Sequence, residues 1–385
     1  MGCSNTKPAS ASPSDITWQQ TDDSHLDASM MREFAGAHDD MANGVSAACM
    51  SGAWVSCAED KSVALTDWRA GRVIQVWQGH LRGVNRVVAV PAIGAYLSGS
   101  RDTTVKVWRE GEADATATLS GHDLTVSAVA AAEDGGLALS GSRDSSLRLW
   151  DLSTGQLSSR NHVSRNVVTC LQWVPGEASL VAQGSEDLRL RLWDVRTLSK
   201  PAAIMEGYVY FPNAVDCMGS YVCTGSNGFN GVGCEVRTWD RRMNAQVYEP
   251  LVGHYQAIFG LCLLRGSGRG GGGVGAESDG DGVGGLTVGS GRSPLLAASG
   301  SKDGEVRLWD VSSGGEAVCS MQLQQEGITG LASALAGEED ARLYASTTTG
   351  RVHAIDATGG GGGGAEPWAL KLTATASGDA DRRAE

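Results

Sequence analysis

The sequence predicts an all-β protein in which seven similar sheets close into a ring, and three observations lead to that prediction. Tryptophans recur at intervals of about 42 residues, at Trp108, Trp150 and Trp193. A Gly-His pair precedes the first two of them, and His80 and His122 each stand 28 residues before their tryptophan. Short apolar runs separated by Gly, Asp and Ser fill the intervals, a spacing typical of antiparallel strands rather than of helices.

Seven copies of this repeat can be counted along the chain. Four have a clear terminal tryptophan, namely Trp108, Trp150, Trp193 and Trp309. Three are weaker: one ends in the reversed pair Asp67-Trp68, one has a loop inserted before Trp239-Asp240, and one ends at Asp356 without a tryptophan. A Gly-His start, a Trp-Asp end and a period of about 40–45 residues are the signature of propeller blades. The chain is therefore predicted to form a single seven-bladed β-propeller over residues 37–375.

Three of the blades carry a histidine, a serine, an aspartate and a tryptophan at matching positions. These sets are His80, Ser98, Asp102 and Trp108; His122, Ser140, Asp144 and Trp150; and His254, Ser299, Asp303 and Trp309. Because buried polar groups need partners, each set is predicted to form one hydrogen-bonded chain that fixes the register of its blade. The same residue types make a catalytic Ser-His-Asp triad, but several equivalent catalytic sites in one fold are not expected. The prediction is a structural role, with no catalytic residue, no cofactor and no metal site.

Composition argues against several other classes of protein. The net charge of the 385 residues is −13, and affinity for nucleic acid needs a basic surface, so no nucleic-acid partner is expected. The nine cysteines form no C-x-x-C pair, which indicates a reducing compartment and argues against disulfides or a zinc cage. No apolar run reaches the roughly 18 residues that span a bilayer, and no secretory signal opens the chain.

Three segments lie outside the regular repeat. Residues 265–294 are dominated by glycine and are predicted to be a flexible insertion in blade six. Residues 376–385 are predicted to be a C-terminal tail. Residues 1–36 are predicted to be a flexible N-terminal tail that ends in a short helix, because apolar side chains stand at every fourth residue from Leu26 to Phe34.

The N-terminal tail carries a candidate lipidation site. Its first residues, Met-Gly-Cys-Ser-Asn-Thr, fit the M-G-x-x-x-[ST] pattern for N-myristoylation of Gly2. One myristoyl chain gives only marginal, reversible membrane binding, so a stable anchor needs a second signal. S-acylation of Cys3 is the predicted second signal, in an arrangement that resembles the dually acylated Src-type kinases and G-protein α subunits. The expectation is a cytoplasmic protein held at the inner face of a membrane, and the alternative is an unmodified tail.

A candidate partner surface follows from the residues that precede the turn aspartates. In a propeller these residues point toward one face of the ring, and here they are Glu59, Arg101, Arg143, Glu186 and Lys302. The hypothesis is that the three cations of this set, joined by Arg165, receive an acidic or phosphorylated protein segment. The alternative is a set of solvated turn residues that are neutralised by neighbouring glutamates.

A second candidate partner site is a repeated W-D-x-R sequence. It occurs in adjacent blades, and its residues are Trp193, Asp194 and Arg196, then Trp239, Asp240 and Arg242. This sequence resembles the motif of substrate receptors that dock on the adaptor of cullin-four ubiquitin ligases. A ubiquitin-ligase substrate receptor is therefore an alternative function.

The repeats over residues 37–375 resemble those of the WD-repeat family. Two stretches, residues 163–175 and the glycine-rich bulge at residues 226–235, are similar to one group within that family. The resemblance implies a non-catalytic scaffold that binds other proteins in ciliary and membrane-protein trafficking, with regulators of Arf-like small GTPases among its partners. It also implies an acylatable Met-Gly start, in agreement with the tail sequence.

Overall fold

A computed structural model describes residues 32–162, 167–265, 295–311, 317–323, 326–334, 341–358 and 369–377. These residues form thirty strands in seven separate sheets, which confirms the predicted all-β class and the seven-bladed propeller. The described helices are two single turns of 3₁₀ helix, Pro91–Ile93 and Val195–Thr197. In the described part of the chain no helix has the length and apolarity needed to cross a membrane.

Each of the first four blades is an antiparallel sheet whose four strands lie in chain order, with the first strand innermost. A strand that precedes them, β1 (Arg32–Ala35), joins the last blade. Blade one comprises β2 (Ala42–Ala47), β3 (Ala53–Ala58), β4 (Ser62–Asp67) and β5 (Arg72–Gln78). Blade two comprises β6 (Val84–Val90), β7 (Ala95–Ser100), β8 (Val105–Arg109) and β9 (Ala117–Leu119). Blade three comprises β10 (Val126–Ala131), β11 (Leu137–Ser142), β12 (Ser146–Asp151) and β13 (Gln156–His162). Blade four comprises β14 (Val168–Trp173), β15 (Leu180–Ser185), β16 (Arg189–Asp194) and β17 (Ala203–Met205).

The remaining blades depart from this plan at their outer edges. Blade five comprises β18 (Pro212–Met218), β19 (Tyr221–Ser226), β20 (Glu235–Asp240), β21 (Ala245–Gln246) and β22 (Leu251–Val252), and its last two strands both pair with β20. Blade six comprises β23 (Ile258–Arg265), β24 (Leu295–Ser301), β25 (Glu305–Asp310) and β26 (Ala317–Gln322). Blade seven comprises β27 (Ile328–Ser333), β28 (Ala341–Thr347), β29 (Val352–Thr358) and β30 (Ala369–Ser377), with β1 outermost.

The N-terminal strand corrects the prediction of a helix that includes Phe34. Strand β1 pairs in parallel with β30, and Phe34 lies opposite Ala376. The Phe34 ring stacks on Trp54 of blade one with 6.1 Å between ring centroids. The helical spacing of apolar residues was misleading because Phe34 belongs to an edge strand, where its neighbours Glu33 and Ala35 face solvent. The described ring therefore begins at Arg32 rather than at residue 37, and its last strand ends at Ser377.

The hydrophobic core is divided into layers between neighbouring blades. One layer joins leucines of blade three, such as Leu139 and Leu147, to Val168 and Trp193 of blade four. Trp77 on β5 packs against Trp108 on β8 with 6.1 Å between ring centroids, so a pair of tryptophans joins blades one and two. Because each layer needs both of its sheets, neighbouring blades stabilise one another.

The innermost strands carry one β-bulge each, at the same point in all seven blades. The bulged residues are Asn43, Asn85, Ser127, Thr169, Asn213, Phe259 and Thr329. Six of them donate a side-chain hydrogen bond to the first carbonyl of the next inner strand; Asn43 Nδ2, for example, lies 2.8 Å from the Val84 oxygen. Phe259 has no side-chain donor with which to continue the series. These bonds join successive blades along the wall of the central channel.

Candidate interaction surface at the channel mouth

The structure brings together each of the three predicted sets of His, Ser, Asp and Trp. In blade two His80 Nδ1 lies 2.8 Å from Asp102 Oδ2, and its Nε2 lies 2.7 Å from the Ser98 hydroxyl oxygen. The Trp108 Nε1–H donates to the same hydroxyl oxygen at 2.7 Å. Blade three repeats this arrangement with His122, Ser140, Asp144 and Trp150 at 2.7–2.9 Å. In blade six His254 and Trp309 both contact the Ser299 hydroxyl at 2.7 Å, but His254 Nδ1 stands 3.5 Å from Asp303.

The environment of these sets is that of a folded core. Burial raises the pKa of the Asp144 carboxyl, but hydrogen bonds from Ser146, the Asp123 N–H and His122 outweigh it and lower that pKa to about 2. Burial lowers the pKa of His122, which favours its neutral form. The serine hydroxyls are completely buried and already accept a hydrogen bond from tryptophan. They are therefore not placed to attack a substrate.

Four other blades hold related contacts outside the three predicted sets. In blade one His38 contacts Ser56 and Ser62, and in blade four Trp193 Nε1–H donates to Gln183 Oε1 at 2.8 Å. In blade five Tyr208 replaces the histidine and accepts from Trp239 Nε1–H at 2.7 Å. In blade seven His353 pairs with Glu326 and Thr375. The residue types in these four blades differ from those of the three predicted sets. Their positions in the structure show that they are equivalent.

The turn between the second and third strands aims one residue of most blades toward the channel. The residue after the turn aspartate has positive φ, for example 72° at Thr103 and 67° at Ser145, and glycine takes this place at Gly304. A left-handed residue lets this tight turn reverse the strand, and the N–H of Thr103 donates back to Ser100. The residue that precedes the aspartate is thereby presented at the end of the channel.

Arg101, Arg143 and Lys302 line one cavity of about 500 Å³. We call this cavity and its rim the turn mouth. Its wall also includes the bulged residues of all seven inner strands, together with Arg86 and Glu186. Arg165, which was predicted to join the three cations, lies outside the described residues, as do Gly2, Cys3 and nearly all of the glycine-rich insertion.

The cations of the turn mouth differ in how they are paired. Arg101 Nη1 lies 2.6 Å from Glu59 Oε1, and its Nε–H donates to Asn85 Oδ1 at 3.3 Å. Arg143 makes a looser contact of 3.8 Å with Glu186. Both ion pairs are partly exposed, where such pairs stabilise a protein little. Lys302 is exposed and has no ion pair within the described chain. The predicted glutamate neighbours are therefore present, but they do not cover every cation.

A rigid apolar platform borders the turn mouth and was not predicted from the sequence. Phe229, Val232 and Tyr255 are each more than half exposed. Phe229 and Val232 exchange two backbone hydrogen bonds of 3.0 Å, and the Gly231 N–H donates to the Tyr255 carbonyl. Asn227, two residues earlier, lines the cavity itself. Rigid exposed aromatic residues beside a polar cavity are typical of protein-binding surfaces.

The two W-D-x-R arginines lie away from the turn mouth, after the third strands of blades four and five. Arg196 Nη2 lies 2.6 Å from Asp194 Oδ2, and Arg242 Nη2 lies 2.7 Å from Asp240 Oδ2. Hydrogen bonds from these arginines lower the pKa of both aspartates, that of Asp194 to about 2. Trp193 and Trp239 are buried, so an approaching partner meets the arginines and not the tryptophans.

One group of described residues has metal-ligand chemistry, although no metal site was predicted. Ligand atoms of His254, Asp303 and Glu305 lie within 4.8 Å of one another. Arg307 pairs with Glu305 at 2.9 Å, and Asp303 accepts backbone N–H groups of Tyr255 and Glu305. The carboxylates are thus already engaged by the protein's own donors.

Comparison with known families identifies the repeat. The model of the WD domain, G-beta repeat, matches residues 71–109, 114–151, 155–194 and 279–310. Over these four stretches the chain is similar to WD40 repeats. The first three matched repeats each begin with the outer strand of one blade and end with the third strand of the next, so each of these three sequence repeats spans two sheets. Together the repeats and the seven-bladed ring support a place in the WD-repeat family, and WD40 propellers are typically non-enzymatic scaffolds that bind other proteins.

Proposed function

We propose that the turn mouth binds an acidic or phosphorylated segment of a partner protein. The observation that carries this proposal is the convergence of Arg101, Arg143 and Lys302 on one cavity in a chain whose net charge is −13. Arginine pairs bidentately with carboxylate or phosphate, and a concave surface concentrates the field of its charges. The platform of Phe229, Val232 and Tyr255 supplies the apolar contact area that a charged rim alone lacks.

Charge reversal at the rim tests this proposal. The variant Arg101→Glu/Arg143→Glu is compared with Arg109→Glu/Arg160→Glu, which changes the net charge equally at exposed positions away from the mouth. The probe is a library of random acetylated hexapeptides, selected on each immobilised protein. Wild type and the control are expected to enrich Asp, Glu or phosphoserine, and the rim variant is expected to lose that enrichment. Equal enrichment by all three proteins would contradict the proposal.

We also propose that the propeller is held at the inner face of a membrane through acylation of Gly2 and Cys3. The support is the Met-Gly-Cys start with a Ser/Thr at position six, together with the two-signal requirement for stable anchoring. The intact mass of the N-terminal peptide from native cells tests the modification. Gly2→Ala is expected to move the protein from the membrane fraction to the soluble fraction. A wild-type N-terminal peptide with no added acyl mass would overturn this part of the proposal.

The nature of the partner is suggested by resemblance. The bulge at residues 226–235 is similar to that of WD repeat-containing protein 31, which implies a scaffold in ciliary and membrane-protein trafficking that binds regulators of Arf-like GTPases. Co-purification of such a regulator with the wild-type protein, but not with Arg101→Glu/Arg143→Glu, is the expected result. Co-purification that is unchanged in the variant would place that partner on another surface.

A substrate receptor of a cullin-four ubiquitin ligase is the second candidate function. The observation that favours it is the exposure of Arg196 and Arg242 at equivalent positions of adjacent blades. Loss of the ligase adaptor from Arg196→Ala/Arg242→Ala, with binding at the turn mouth retained, is the result that this alternative predicts.

A further inference from the structure

Seven equivalent positions on the channel wall differ in one residue. The bulge places the residue that follows it at the same level in every blade, and these residues are Gly44, Arg86, Ala128, Cys170, Ala214, Gly260 and Gly330. Six are small, and at Gly44, Gly260 and Gly330 a side chain would meet the neighbouring inner strand. Arg86 alone in this set is long and charged.

Arg86 stands at the junction of two cavities in the channel. A second cavity of about 400 Å³ lies toward the other end of the channel and is lined by the later residues of the inner strands. Arg86 and Phe259 are the two residues that line both cavities, so they lie between them. Blades two and six are separated by three steps around a ring of seven, which places these two side chains on opposite sides. We call this pair the throat.

The guanidinium of Arg86 lacks the partners that the rim arginines have. Among the described residues it makes no hydrogen bond or ion pair, although it is partly buried. Its charge acts on the thiols of Cys57 and Cys170, but burial raises the pKa of these thiols to about 12 and 11 and keeps them neutral. Asp216 in the second cavity uses its carboxylate oxygens to accept the N–H groups of Cys217 and Leu263 at 2.8 Å. A guanidinium whose five N–H donors are accepted by no described residue, at the junction of two cavities, is arranged for a ligand that accepts them.

We propose that Arg86 binds the carboxylate of an acidic side chain that a partner segment inserts through the turn mouth. This inference rests on the proposed function and names the group at the bottom of the site. One guanidinium matches one carboxylate bidentately, whereas a phosphate dianion calls for more cations than the throat offers among the described residues. Arg86 is less exposed than Arg101 and Arg143, so water screens its charge less than it screens theirs. Phe259 offers an apolar wall to the methylene groups of the same side chain.

The test uses the full-length protein and the random hexapeptide library described above. Arg86→Gln keeps most of the side-chain length and removes the charge, and Arg109→Gln on the exposed end of β8 is the matched control. Wild type and the control are expected to enrich Asp or Glu at one position. The best acidic peptide is expected to bind Arg86→Gln at least ten times more weakly, while its Gln counterpart binds both proteins equally. Thermal unfolding of Arg86→Gln is expected to occur at the wild-type temperature or above it, since no contact is lost.

The possible failures are distinguishable. If Arg101→Glu/Arg143→Glu weakens binding of the acidic peptide and Arg86→Gln does not, the rim proposal stands and the throat proposal is wrong. If Arg86→Gln weakens the binding of the acidic peptide and of its Gln counterpart equally, Arg86 contributes through packing rather than charge. The carboxylate proposal is then wrong. If no protein enriches acidic peptides, both proposals are overturned.

Discussion

Polar side chains in the interior of blade two differ from Arg86 in the throat of the channel in how they are paired. In the blade, His80, Ser98 and Trp108 form a chain whose contacts are all 2.8 Å or shorter. In the throat, Arg86 has no partner among the described residues. A saturated network stabilises one arrangement of the backbone, whereas donors that no protein group accepts remain available to a ligand.

The largest expected effect lies in the interior of the blade. Trp108→Ala removes a fully buried ring that packs on Trp77 and His80. Its free energy of unfolding is expected to fall by about 3–5 kcal/mol, as measured by urea denaturation. Leu157→Ala, at an exposed position on the outer strand β13, is the control and is expected to change stability by less than about 0.5 kcal/mol. A loss below about 1 kcal/mol in Trp108→Ala would show that the tryptophan is not part of the core.

A smaller effect is expected when only the shared hydroxyl is removed. Ser98→Ala leaves His80 Nε2 and Trp108 Nε1 without a partner in a dry interior, with an expected destabilisation of about 1–3 kcal/mol. Ser158→Ala, which changes an exposed serine on β13, is the control and should unfold like wild type. Indistinguishable denaturation curves for the two variants would mean that water or rearrangement replaces the missing bonds.

Asp216 offers a comparison within the channel itself. Burial raises the pKa of its carboxyl to about 6 in the folded state, despite two backbone N–H donors that act in the opposite direction. The folded state therefore binds a proton more tightly than the unfolded state, and this contribution to stability is lost as pH rises through about 6. Between pH 4 and pH 8 wild type is expected to lose about 2 kcal/mol more than Asp216→Asn, as followed by denaturation at several pH values. Parallel pH profiles of the two proteins would show that the channel is well hydrated at this point.

Much of the architecture could be predicted from the sequence because the repeat is local. The spacing of Trp108, Trp150 and Trp193 predicts blades of four strands, and seven sheets were confirmed. In three blades a histidine, a serine and an aspartate also stand at matching positions of the repeat, on matching turns and strands. Blade five lacks these residue types, and Tyr208 takes the histidine position there with different chemistry.

The candidate surface was predicted only in outline. The rule that the residue before the turn aspartate faces the channel selected Arg101, Arg143 and Lys302, and all three line one cavity. The alternative of neighbouring glutamates also described part of this surface, since Glu59 of blade one pairs with Arg101 of blade two. Arg86 was missed altogether, since an arginine in an apolar strand has no sequence signature of its position in a channel.

The sequence alone determined the number of blades, the strand-rich fold and the positions of the buried His-Ser-Trp contacts. These depend on residues within one repeat of about 42 positions, where hydrogen-bonding and apolar patterns are set by neighbours along the chain. Only the tertiary structure decided that Phe34 lies in a parallel edge strand beside β30, and which cations in the channel keep unused donors. Those outcomes depend on contacts between residues that ring closure brings together from distant parts of the chain, so no local pattern can encode them.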